Sequence, residues 1–386
     1  MPPGSGLDFA LTEEQELLRA EVRRFAEERL RPGLAERDRS HELPVAVLRE
    51  MGEMGLLGML VAEEYGGAGQ DPLTYCLAVE EVARVCPSTA VTMSVTNSVC
   101  QWPIQRFGSD ELRRRVLPEL AAGAEFGGFG LTEPGSGSDA GAMQTVARRD
   151  GDDWILDGQK AWITNASIGK WFVVLARTDP AAGKRGISAF VVGREMPGFA
   201  AGAPEEKMGL RASVTGSLFF NACRVPASHL LDAEGQGLRI AFATLDHSRL
   251  GIAAQAVGIH QRALELALAY ARERVQFGVP IVEHQAVRFT LARMATELAA
   301  ARTLTRHAAA LSERSPEAGR LASEAKLYAS EAANRACFDA LQIHGGNGFS
   351  EEYEIARLYR DVRVTTIYEG TSEMQRLVIA RHLLAG

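Results

Sequence analysis

The stretch Gly237–Val279, GLRIAFATLDHSRLGIAAQAVGIHQRALELALAYARERVQFGV, contains no proline. Within it Leu245, Ile252, Ala256, Ile259, Ala263, Leu266 and Tyr270 recur at three- and four-residue spacing, the period of one helix face. The stripe predicts core packing along one helix of some tens of residues, at about 1.5 Å per residue roughly 50 Å long, as in helical bundles. Further helical segments near 284–312, 316–343 and 371–384 supply its bundle partners.

Working back towards the amino terminus, the texture changes between about 126 and 232. Short β-prone runs, Trp154–Leu156, Trp171–Leu175, Ile187–Val192 and Ser217–Phe220, alternate there with turn residues such as Asp157-Gly158. They predict a small β-sandwich or barrel. Residues 7 to about 125 read as helices, opening on a capping box formed by Thr12 and Gln15. Gly66-Gly67-Ala68-Gly69 interrupts them, and helical stretches resume over Pro72–Ala83 and Ser109–Leu120. The expected fold is α+β, with a helical domain over 1–125, a β domain over 126–232 and a four-helix bundle over 233–386. That order leaves little room for a doubly wound sheet, and no strand-linked GxGxxG or Walker loop is present. A large cofactor would therefore sit at domain interfaces.

The 386 residues are 46% hydrophobic and 24% charged, an ordinary globular composition with ample core. A net charge of -7 and a pI near 5.7, without basic runs, argue against a nucleic-acid partner. Met1–Gly6 has neither a basic start nor an apolar stretch, and no apolar run nears the roughly 20 residues of a membrane helix, so a cytoplasmic protein is expected. Five cysteines without close pairing predict buried thiols rather than disulfides or a metal site.

Five segments carry candidate chemistry. In Thr366–Ser372, TIYEGTS, Glu369 stands between apolar neighbours and a glycine, a setting that raises a carboxyl pKa towards that of a general base. Gly128–Asp139, GFGLTEPGSGSD, offers small residues, hydroxyls and free amides for a polar ring edge or phosphate, or a plain turn in which Glu133 and Asp139 cap amides. In Trp162–Asn165 an aromatic plane and a hydroxyl lie two residues apart, able to shield a flat ring or simply to fill a sheet. Arg272–Gly278 with Gln285 provides guanidinium groups for a pyrophosphate or for a helix carboxyl end. Gln342–Phe349, QIHGGNGF, adds glycines for close approach, with His344 as a structural or lining residue rather than a metal ligand.

Taken in order, TEPGSGSD, WITN, RVQFG, QIHGGNGF and IYEGTSEMQR resemble the acyl-CoA dehydrogenase family over nearly the whole chain. Leu11–Gln15 and Glu64–Gly67 extend the resemblance into the opening helices, and the tail is most similar to short-chain, butyryl-type members. The resemblance implies a homotetramer holding FAD between the β domain and the bundle, with each FAD site completed by a neighbouring subunit. Phe129, Leu131, Thr132 and Ser138 would line the flavin, Ser138 also touching acyl-CoA, and Trp162, Ile163 and Thr164 would flank it. Arg274, Phe277, Gln285, Gln342, Ile343, Gly345 and Gly346 of the neighbouring subunit would meet the adenosine diphosphate half. Thr371, Ser372 and Glu373 would meet FAD from the chain that carries the base. Asp246 and Arg249 would contact CoA, and Gly370 the thioester.

Glu369 would then remove the α-proton while the β-hydride passes to flavin N5, giving a trans-2-enoyl-CoA, with an electron-transferring flavoprotein as acceptor. Isovaleryl-type members place the base at the position of Ser248, so Ser248 together with Glu369 implies the commoner arrangement. The alternatives are a same-fold oxidase or monooxygenase, a dehydrogenase of a carrier-protein thioester, and a scaffold without turnover.

Overall fold

The structure is a computed structural model that describes residues 10–384; the Met1–Gly6 stretch read for leader signals lies outside the described residues. The amino-terminal third is built from α1 (Glu13–Phe25), α2 (Leu34–Ser40), α3 (Val45–Glu53), α4 (Pro72–Val85), α5 (Pro87–Ser94), α6 (Trp102–Phe107) and α7 (Asp110–Ala121). The expected capping box is present: Gln15 N–H donates to Thr12 Oγ1 and Thr12 N–H to Gln15 Oε1, both at 3.2 Å. Asp71 caps α4 by accepting from Thr74 N–H at 2.9 Å, with Pro72 in the first turn, where its missing N–H costs nothing. Ser109 caps α7 in the same way. Residues 87–107, not singled out in the sequence, form α5 and α6 joined by a π-helical segment, Val95–Gln101.

The middle region forms one eight-stranded sheet from β1 (Gly127–Gly130), β2 (Val146–Asp150), β3 (Asp153–Thr164), β4 (Trp171–Arg177), β5 (Ile187–Gly193), β6 (Phe199–Ala201), β7 (Thr215–Pro226) and β8 (Leu230–Leu231). Its order is β6-β7-β3-β2-β4-β5-β8, with β1 parallel on β4. Asp157-Gly158, read from sequence as a turn, lies inside β3 at a register shift against β7. Gly158, at φ 146, takes a backbone angle that lets one strand absorb an extra residue without ending. At Gly128 a Cβ would stand 2.7 Å from the Thr164 carbonyl oxygen, so β1 reaches the β3 end only as glycine.

The carboxy-terminal region opens with α8 (Gly237–Glu273), followed by the short hairpin β9 (Val275–Gln276) and β10 (Val279–Pro280), then α9 (Gln285–Leu311), α10 (Ala318–His344), α11 (Glu354–Val362) and α12 (Ser372–Leu384). α8 is 37 residues long, about 55 Å. It stops six residues before Val279 because Arg274 turns extended (ψ 120) and Phe277-Gly278, at φ 55 and 81, close a hairpin. α8, α9 and α10 pack on one another, α12 lies on α10, and α4 packs on α8 and α9. All five cysteines are buried and unpaired. No described helix is long and apolar enough to cross a membrane.

Candidate active site

Glu369 leaves the helical pattern: it sits at φ 51 and Gly370 at φ 94, just before α12. A left-handed non-glycine costs roughly 1–3 kcal/mol and persists only where its surroundings enforce it. Here Gln375 Nε2 donates to the Glu369 carbonyl at 3.2 Å and the Gly370 carbonyl at 2.8 Å, and Lys326 Nζ donates to the Gly370 carbonyl at 2.8 Å. Ser248 Oγ, on α8, donates to Glu369 Oε2 at 2.6 Å. The Glu369 N–H makes no hydrogen bond within the described residues.

The residue keeps an accessible edge, yet its carboxyl group is desolvated. Burial raises the pKa above the ordinary carboxylate value, against the Ser248 hydrogen bond and the charges of Lys326 and Arg249, which lower it. The neighbouring Tyr368 hydroxyl is bonded to Gln255 Oε1, which fixes the base loop to α8. Asp246 and Arg249, one turn apart on α8, pair with each other, and Arg249, 5% exposed, also donates to Ser323 Oγ at 3.2 Å. Asp246 is the more open of the two.

The glycine-rich loop after β1 is pinned against β3. Ala161 N–H donates to the Thr132 carbonyl at 2.9 Å and Lys160 Nζ to the Leu131 carbonyl at 3.3 Å, which ties the loop to β3 next to Trp162. Glu133 accepts from Thr145 N–H at 2.9 Å and from Lys160 Nζ at 2.7 Å, a closing rather than a ligand-binding task. Phe129 and Tyr368 pack on one apolar cluster, Val91, Val95, Val99 and Leu210, so the end of β1 and the base loop share a wall. Trp162 is 62% exposed at φ 61, Thr164 half-buried, and Ile163 faces the sheet core, leaving only its backbone towards the open side. Leu131 is buried, Thr132 half-buried and Ser138 exposed. Ser372 is buried at the amino end of α12 with its hydroxyl unpartnered, between half-buried Thr371 and exposed Glu373.

The remaining candidates gather elsewhere. Arg274, Phe277 and Gln285 are exposed around the β9–β10 hairpin. Exposed Gln342, Gly345 and Gly346, with half-buried Ile343, cap α10 beside it, because His344 stacks on Tyr270 at 4.3 Å and Asn347 Nδ2 donates to the Tyr270 hydroxyl at 3.0 Å. His344 is thus a packing residue. Ser248 on α8 and Arg274 just past its end are 26 residues apart, roughly 39 Å at 1.5 Å per residue. Two open cavities of about 530 and 450 Å³ lie along the 133–145 loop and between α9, α10 and α11, and neither includes Glu369. Among the described residues no group of three or more His, Cys, Asp or Glu is arranged to hold a metal ion.

Lys326, Gln375 and Gln255 were not singled out in the sequence. Lys326 had a usable signal: Ala322, Lys326, Ala329, Ala333, Ala336 and Ala340 follow three-and-four spacing, which places the lysine on the buried face of α10.

Family models for the amino-terminal, middle and carboxy-terminal domains of acyl-CoA dehydrogenase match residues 12–124, 128–223 and 235–384. The mitochondrial short-chain specific acyl-CoA dehydrogenase of Mus musculus is 48% identical over 374 residues, 97% of this chain and 91% of its own length. The structure of butyryl-CoA dehydrogenase from Megasphaera elsdenii superposes with a TM-score of 0.96 at 41% identity, covering 98% of this chain and 100% of that one. A glutaryl-CoA dehydrogenase from Mycobacterium smegmatis in complex with FADH2 gives 0.91 at 36% identity over 97% of this chain and 96% of its own. Three domain matches in the order of the fold and near-complete coverage by relatives lead to one conclusion: the chain belongs to the acyl-CoA dehydrogenase family of FAD-dependent oxidoreductases.

Proposed function

We propose that the chain converts a short- to medium-chain acyl-CoA to the trans-2-enoyl-CoA, with Glu369 as the base that takes the α-proton. FAD, when bound, supplies the acceptor for the β-hydride at N5. The observation that carries the assignment is the desolvated Glu369 carboxylate, pKa raised, oriented by Ser248 at 2.6 Å. A carboxylate tuned upwards is a stronger proton acceptor, and the short hydrogen bond selects one rotamer for attack. The free Glu369 N–H is available to the thioester carbonyl, where a fixed donor stabilises negative charge developing as the α-proton leaves. The resemblance puts the base of isovaleryl-type members at the position of Ser248, and the contact of Ser248 with Glu369 supports both positions addressing one spot.

The residues present fit a flavin dinucleotide. A Cβ at Gly135, Gly137, Gly345 or Gly346 would meet nothing within 4 Å, so these turns leave room for close approach. The orphaned Ser372 hydroxyl lies at a helix amino end, which favours anionic groups. Trp162 and Thr164 beside Leu131 and Thr132 would hold the flavin, Thr371–Glu373 its polar edge, Ser138, Asp246, Arg249 and Gly370 the acyl-CoA. The distance along α8 to the Arg274, Phe277, Gln285 and Gln342–Gly346 cluster supports a second copy supplying that cluster, within the homotetramer that the resemblance implies. The three units divide near residues 125 and 232, and an electron-transferring flavoprotein takes the electrons.

Anaerobic titration of the FAD-loaded protein with butyryl-, octanoyl- and isovaleryl-CoA tests the reaction: flavin bleaching is expected, strongest with butyryl-CoA. Glu369→Gln should keep the yellow cofactor and lose kcat by about 10²–10⁴-fold, the usual worth of a general base. Full turnover by that variant would sink the assignment.

A further inference from the structure

α10 buries a lysine along a stripe of alanines: Lys326 is 0% exposed, as are Ala333, Ala336 and Ala340. A buried ammonium is strongly disfavoured unless it is paired and hydrogen-bonded, so its partners identify its use. Its Nζ donates to the Gly370 carbonyl at 2.8 Å, next to the left-handed Glu369. The base is thereby held at three points, by Lys326 and Gln375 on the main chain and by Ser248 on the carboxylate.

The charges around this turn come from several elements. α8 brings Arg249, paired with Asp246; α4 brings the neutral Tyr75 hydroxyl; the loop itself brings Tyr368; Glu331 on α10 and Glu373 on α12 act on Lys326. Burial pushes the Lys326 pKa down to about 8, opposed by Glu369, Glu331 and Glu373, so the ammonium form still prevails at neutral pH. Lys326 is the cation that is bonded to the base's own turn.

We propose that Lys326 is a positioning residue for the reaction: it clamps the Glu369–Gly370 turn through the Gly370 carbonyl, and its positive charge favours the proton-accepting form of Glu369. The proposal rests on Glu369 as the base. It also gives the alanine stripe of α10 a purpose, since small side chains bring the helix close enough for a lysine to reach across to the loop.

The test compares Lys326→Met, which removes donor and charge, with Lys326→Gln, which removes the charge and keeps a donor, both as FAD-loaded protein. For Lys326→Met the acid limb of kcat/KM for butyryl-CoA should move up by about one pH unit, and kcat should fall about 10–100-fold with KM within about three-fold. Lys326→Gln should show the same shift of the limb with a smaller loss of kcat. Independently of turnover, the infrared carboxylic-acid band that is missing from Glu369→Gln should persist to higher pH in both variants. A limb and band that titrate as in the parent protein in Lys326→Gln would overturn the proposal, even if Lys326→Met fails to accumulate. Turnover by Glu369→Gln would instead overturn the base assignment, so the two failures are distinct.

Discussion

Glu133 and Lys160 show how much a single pair decides at the residue scale. Lys160 is 0% exposed, and burial drives its pKa down to about 8 while Glu133 opposes the shift. Glu133→Ala leaves that ammonium with only a carbonyl and a thioether in reach, and loss of one partner of a buried pair costs about 3–5 kcal/mol. Denaturant unfolding should show that loss, and the Leu131–Thr132 loop should loosen with it. Two buried imidazoles predict an acid response. His247, stacked on Trp102 at 4.7 Å, and His260 are both held neutral by burial, with pKa values lowered to about 4. The unfolded chain takes up protons below about pH 6.5 and the fold resists until about 4, so stability should fall as pH drops across that window, by about 2 kcal/mol per imidazole at pH 5. Measuring the denaturant midpoint between pH 7 and 5 checks the sign. The raised pKa expected for Glu369 agrees with the structure, but not through both apolar neighbours, since Ile367 is 49% exposed and the burial comes from other helices. Its left-handed backbone and its partners from α8, α10 and α12 were not legible in the sequence, because the nearest, Gln375, lies six residues away along the chain and each stands on a different helix.

α8 was the most legible element, and still only half of it was read. The stripe placed Ile252, Ala256, Ile259 and Ala263 in the core, where all four are fully buried. Every residue from His247 to His260 is buried, however, because α4, α5, α9 and α10 surround the middle of the helix. Periodicity finds one face and is silent about a second neighbour. Gly258 is one close approach of α4: an added Cβ would stand 2.3 Å from the Glu80 carbonyl oxygen and 2.9 Å from Ala83 Cβ. Gly258→Ala gains about 1 kcal/mol of helix propensity but must push two backbones apart, at a typical cost of 1–3 kcal/mol, so net destabilisation is expected in thermal unfolding. In the sheet, Asp157-Gly158 looked like a turn because bulges and turns use the same residues; only the β7 partner strand distinguishes them.

For the whole molecule, the order of helical region, sheet and bundle followed from changes in periodicity alone. What periodicity could not supply was the pattern of large apolar side chains left on the outside. Phe277 is 94% exposed, Phe349 89% and Phe289 65%, three large rings open to water in the single chain. If these rings form the interface of the proposed homotetramer, light scattering should return a mass near four chains, and Phe277→Asp should shift it towards smaller species. The five buried cysteines have a further use. They lie in or beside α4, α5, the π-helical segment, β7 and α10, so a maleimide reagent meets no thiol while the chain is folded. Each becomes reactive only when its own neighbourhood opens, so the native protein already carries five silent probes, and the order in which they label during gentle warming would chart which part lets go first.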